Sequence, residues 1–120
     1  MSLIEKKTGS FQYCVRGYND FVSNQIRLTR RWADCDDLPR LWHEVQASRD
    51  DIFVDVGGNI GACSALMLHR GISTVAFEPV PQNLFYFTST AIKNAKNFTG
   101  PLTLVMGGVG SAEGKSTIHS

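Results

Sequence analysis

The sequence predicts an α/β fold built on a parallel sheet, and three observations carry that expectation. Residues 52–56 and 74–77 are short, nearly continuous apolar runs, as strands buried on both faces of a parallel sheet are. A glycine-rich break, Gly57-Gly58-Asn59-Ile60-Gly61, follows the first run, and a helix-length segment follows each. Residues 102–106 form a third such run, so the order from residue 52 is β-α-β-α-β, half of a doubly wound domain.

The elements follow in order. Residues 11–16 (FQYCVR) are rich in aromatic and β-branched types and read as a strand, and residues 17–20 read as a turn. Residues 21–32 are ambiguous, because Phe21, Ile26, Leu28 and Trp32 fit no single period. Asp37 is placed to cap a helix over 38–47, with Pro39 in its first turn. Leu38, Leu41, Trp42 and Val45 then share one face. A helix is expected over 60–69, with Gly71 as its terminating glycine. Pro81 opens the next helix, with Leu84, Phe87, Thr88, Ala91 and Ala95 along one stripe. Residues 115–119 alternate weakly, as a further strand would. The expected division is an N-terminal extension over 1–50 and a partial cofactor-binding domain over 51–120.

Composition bounds the function classes. The 120 residues suit one domain, and 42% apolar content is enough for a core. A formal net charge of +1 leaves no electrostatic footprint for nucleic acid or a membrane surface. The basic cluster Arg27, Arg30, Arg31 is followed by Asp34, Asp36 and Asp37 and reads as a solvated face. Three cysteines, an odd number without a CxxC, point to neither a disulfide framework nor a zinc site. The three histidines lie far apart, and His43 and His69 read as surface helix residues. The opening MSLIEKKTGS lacks the apolar core of a secretory signal, and no apolar run approaches a membrane span. The match of Asn97-Phe98-Thr99 to a glycosylation sequon is then accidental. The expectation is a soluble, cytoplasmic protein.

The chemistry concentrates at two strand ends. Gly57 and Gly61 let the chain turn sharply from strand to helix and admit a ligand closely. The helix behind them offers free N–H groups to an anion. Asp55 ends the strand before the loop, where a carboxylate can attract a cation or fix loop N–H groups. Glu78 ends the next strand, 21 residues after Gly57, a suitable distance for accepting hydrogen bonds from ribose hydroxyls. The dinucleotide fingerprint requires a second glycine where Asn59 stands. The frame D-x-G-x-x-x-G suits a ligand with an amino-acid end and a nucleoside end, such as S-adenosylmethionine. A nicotinamide or flavin dinucleotide, and a glycine turn with no ligand, are the competing readings. Gly114-Lys115-Ser116 resembles the end of a phosphate-binding loop, but Val109 occupies its required glycine and only Thr117 to Ser120 follow.

The segment DIFVDVGGNIGACSALMLHRGISTVAFEPVPQNLFYF resembles the core of the FkbM-type methyltransferases. Val54 to Gly61 is similar to that family's V-D-V-G-x-N-I-G strand and loop, and Val75 to Pro79 to its V-x-A-F-E-P strand end. The likeness extends more weakly over about residues 18–120. Upstream, it rests on Asp20-Phe21-Val22-Ser23 and Arg31-Trp32. Downstream, residues 108–114 resemble a GD-x-x-G turn, with Ser111 where an acidic residue is common.

The resemblance implies a Rossmann-like class I methyltransferase fold and O-methylation of a hydroxyl on a small molecule or sugar. By position, Asp55, Gly57, Gly58, Asn59 and Gly61 would cradle the methionine part and Glu78 would hold the ribose. Pro79 and Val80 would border the adenine, with Gly110 and Ser111 nearby. The family's sheet has about seven strands ordered 3-2-1-4-5-7-6, and residues 52–106 supply counterparts of 1, 2 and 3. The fold is therefore expected to be truncated, with the edge of strand 52–56 left for a partner chain or a missing C-terminal half. No catalytic base and no metal ligands can be named, and this chain alone is expected to be inactive. Two other functions stay open: a noncatalytic nucleotide-binding or interaction module, and a fragment of a dinucleotide oxidoreductase.

Overall fold

The computed structural model describes residues 2–6, 11–17 and 20–115. Its strands are β1 (Ser2–Lys6), β2 (Phe11–Val15), β3 (Phe53–Val56), β4 (Thr74–Glu78) and β5 (Leu102–Met106). Its α-helices are α1 (Phe21–Thr29), α2 (Leu38–Glu44), α3 (Ala62–His69) and α4 (Pro81–Lys93), with a 3₁₀ turn at Ala33–Cys35. The expected β-α-β-α-β order from residue 52 is present. β3, β4 and β5 form a parallel sheet in the order β3-β4-β5, with Asp55 opposite Ala76 and Ala76 opposite Leu104. This is a three-stranded parallel sheet flanked by helices.

The sheet is covered on one face. Thr74, Ala76 and Glu78 point toward α3 and α4 and are buried. The opposite face carries Val54 and Val56, 54% and 60% exposed, and Ile52 precedes them at 53%. The expectation that residues 52–56 are buried on both faces is therefore corrected: no described element lies over that face. The same segment is an edge strand, because β3 pairs only with β4 among the described residues.

The main core lies on the far side of the helices. β1 and β2 pair antiparallel, Ser2 opposite Val15 and Lys6 opposite Phe11. The β1 strand was not expected, because its sequence reads as polar. Phe11, Tyr13 and Val15 of β2 join Ile26 of α1, Cys35 of the 3₁₀ turn, and Ile60, Ala62, Ala65 and Leu66 in one buried cluster. Helix α3 is held between this layer and the sheet, so six of its eight residues are buried around its circumference.

Several expectations shift in detail. Of the ambiguous residues 21–32, Phe21–Thr29 fold into α1, capped by Asp20, whose side chain accepts from Ser23 N at 2.9 Å. Its period was illegible because Ser23 is buried as a hydrogen-bond acceptor of Arg16 N, while Phe21 and Leu28 are exposed. Helix α2 stops at Glu44, and its expected apolar face is largely solvated: Leu41 and Val45 are exposed. Asp37 precedes α2 without a capping bond and pairs with Arg40 instead. Arg27 departs from a purely solvated role, donating to Arg16 O at 2.6 Å and to Asn24.

Of the expected α4 stripe only Phe87 is buried; the other buried residues are Asn83, Thr90 and the C-cap Asn94. Thr90 and Asn94 face β2, where Asn94 accepts from Gln12 N and donates to Gln12 O, and Thr90 Oγ1 accepts from Cys14 N. A buried polar group costs little when its partner is a strand backbone that would otherwise lack one. Of the expected strand at 115–119, residues 116–119 lie outside the described residues, and Lys115 is not in a strand.

The odd cysteine count also misled. Cys35 and Cys63 form a disulfide with Cα atoms 5.2 Å apart, leaving Cys14 as a buried free thiol. The expectation of no disulfide is corrected: two cysteines 28 residues apart carry no sequence signature, and packing of the 3₁₀ turn against α3 brings them together.

Candidate functional site

The loop between β3 and α3 is shaped by backbone bonds and by one ring. Gly57 N and Gly58 N both donate to Phe77 O, at 2.8 and 2.9 Å, tying the loop to the end of β4. Gly61 precedes α3 with φ +91°, a conformation that L residues rarely adopt. The Phe87 ring, 2% exposed, lies directly beneath: a Cβ on Gly58 would stand 2.8 Å from it, and one on Gly61 3.0 Å. Asn59 between them has φ +54°. Its side-chain Oδ1 is buried with no hydrogen-bond partner.

Two carboxylates flank this loop. Asp55 Oδ2 accepts from Ser64 Oγ at 2.6 Å, so it anchors the first turn of α3. Burial lifts its carboxyl above the usual carboxylate range; the Ser64 hydrogen bond opposes that lift and the nearby Glu78 charge adds to it. Glu78 is 4% exposed. Its Oε1 accepts from Asn59 N and its Oε2 from Val80 N, both at 2.8 Å, with a longer contact to Asn83 Nδ2. Glu78 thus joins the glycine loop to the turn that starts α4. A carboxylate has about four lone-pair positions, so these bonds do not exhaust its capacity.

The structure brings Asp55, Gly57, Gly58, Asn59, Gly61, Glu78 and Val80 into this one hydrogen-bonded cluster. Pro79 and Gly110 lie along a depression of about 460 Å³ beyond the end of β5, with Met106 and Val109. Gly110 and Ser111 also line a broader hollow of about 980 Å³, with Phe77, Glu113 and Lys115. Both are open and formed largely by the segment after β5.

Sequence reasoning missed three contributors. Ser64 carried no signal as the partner of Asp55. Asn83 lay off the expected stripe of α4. Phe87 was expected as a core residue, but nothing in the sequence placed its ring under Gly58 and Gly61. His69, expected at the surface, is half-buried against Phe11 with ring centroids 5.0 Å apart. Among the described residues, no group of three or more His, Cys, Asp or Glu could hold a metal ion, and no helix is long and apolar enough to cross a membrane. No family model matches the chain, and no curated protein matches it significantly.

Proposed function

We propose that this chain is the cofactor-binding part of an S-adenosylmethionine-dependent methyltransferase acting on a hydroxyl of a small molecule or sugar. The observation that supports this best is the buried, unpartnered Asn59 Oδ1, set in a glycine loop between Asp55 and Glu78. A buried acceptor without a donor is costly, and an ammonium or hydroxyl donor from a ligand would satisfy it. The donor set fits the cofactor: carboxylates for an ammonium and a ribose, a helix start for a carboxylate. S-adenosylmethionine supplies an electrophilic methyl group on a sulfonium sulfur. The chain's own residues bind and orient: Asp55 and Asn59 at the amino-acid end, Glu78 at the ribose, Pro79 and Val80 beside the adenine. Gly110 lines the depression that Pro79 borders, and Ser111 lines the hollow that shares Gly110 with it. In this reading the protein is cytoplasmic, and the base that deprotonates the acceptor is not assigned to any described residue.

Calorimetric titration with S-adenosylmethionine, and competition by its demethylated product, tests the reading. Saturable heat in the wild type that is lost in Asp55→Ala is expected. Absence of heat, with NADH binding instead, would replace it with the dinucleotide reading.

A second reading, a noncatalytic interaction module, is favoured by the exposed face and free edge of β3. Sedimentation separates the two: a monodisperse monomer argues against an interaction module.

A further inference from the structure

The Cys35–Cys63 bridge lies in a consequential place. Cys63 is the second residue of α3, two positions after Gly61, in the helix turn that closes the glycine loop. Cys35 ends the 3₁₀ turn and is 5% exposed within the core cluster that also holds Ile60 and Ala62. Neither Ile60 nor Ala62 is polar, so packing and the bridge together locate this turn from the hairpin side. From the sheet side, it is held by Ser64 on Asp55 and by Phe87 beneath Gly61. The bridge is the one covalent tie in this set, and it ends on Cys63, the less buried of its two cysteines.

We propose that this disulfide is a redox control on the glycine loop: bridged, the loop is ordered for its cofactor; reduced, it is loosened and binds more weakly. The inference rests on the proposed cofactor reading for its functional consequence, but not for its mechanical one. The chemistry balances with a dithiol as reductant. One of its thiolates attacks Cys63 Sγ, the Cys35–Cys63 bond breaks, and Cys35 leaves as a thiolate. The second thiol of the reductant then displaces Cys63 from the mixed disulfide. The reductant ends as a cyclic disulfide, and both cysteines end as thiols after taking up two protons. A cytosolic setting agrees with this, since disulfides there are usually transient or redox-sensing.

The test uses the full chain in two states, oxidised and treated with dithiothreitol, with Cys35→Ser/Cys63→Ser as a permanently open form. Amide hydrogen exchange is followed at residues 57–65 and, as an internal reference, at 81–93. On reduction, exchange at 57–65 is expected to accelerate at least tenfold more than exchange at 81–93, which registers the global loss of stability, with the double variant matching reduced wild type. Titration with S-adenosylmethionine should show at least threefold weaker binding in the reduced and double-variant proteins. Unchanged exchange at 57–65, or an equal change in both segments, overturns the control. Exchange that changes as expected without cofactor binding in either state leaves the loop control standing and refutes the cofactor reading. Binding that is equal in both states overturns the functional half.

Discussion

Replacing Gly58 and Gly61 with alanine, each with and without Phe87→Leu, separates two causes of glycine requirement. At Gly58 the obstacle is steric alone: the added Cβ falls 2.8 Å from Phe87 Cε2, and the backbone does not have positive φ. Overpacking a filled site of this kind costs about 1–3 kcal/mol. At Gly61 the Cβ meets the same ring at 3.0 Å, and φ +91° adds backbone strain of about 1–2 kcal/mol. Leucine at 87 withdraws the ring edge, so it should relieve most of the Gly58→Ala cost and only the steric share of the Gly61→Ala cost. Urea unfolding of the single and double variants gives the coupling energies. We expect about 1–2 kcal/mol of favourable coupling at both positions, with about 1–2 kcal/mol left unrelieved at Gly61 only. Coupling of less than about 0.5 kcal/mol for Gly58→Ala with Phe87→Leu is the size of ordinary non-additivity. That result would mean that the Phe87 ring does not set the floor of the loop.

Three further outcomes follow from the same geometry. Burial lifts the Asp55 carboxyl, so the folded state holds that proton more tightly than the unfolded chain. Stability should therefore fall as pH rises from about 4 through the raised value. Asp55→Asn, which keeps an acceptor for Ser64, should flatten that fall in thermal melts, raise Tm at neutral pH and weaken cofactor binding. Removing the bridge with Cys35→Ser should cost about 3.6 kcal/mol in the chain-entropy account for a 28-residue separation, read as a lower urea midpoint. Asn94→Ala deletes two bonds to Gln12 and one to Thr90 O, and should cost about 2–3 kcal/mol, with faster exchange of β2 amides.

Local chemistry made part of this protein legible from its sequence. The runs at 52–56, 74–77 and 102–106 are apolar enough to demand strands, and the glycines from 57 to 61 demand a turn. Pro81 marked the start of α4 because its fixed φ and missing N–H suit a first helical residue. These are properties of a few consecutive residues, so one-dimensional reading finds them. The spacing from Gly57 to Glu78 also placed the two strand ends side by side, because parallel strands in register put their carboxyl ends together.

Tertiary structure alone decided the rest. Whether residues 52–56 are covered depends on which elements reach their second face, and the helices occupy only the first. Which stripe of α4 is buried was decided by the neighbouring β2 backbone, whose exposed N–H and C=O groups select Asn94 and Thr90 over alanine and leucine. Cys35 and Cys63 pair because a 3₁₀ turn and a helix pack together, a relation with no local trace over 28 residues. The Phe87 ring became the floor of the glycine loop for the same reason. Residue type and short spacing fixed the β-α-β-α-β elements from residue 52 and the two strand ends of the candidate site. Contacts between segments distant in the chain fixed what lies beneath, behind and across from them.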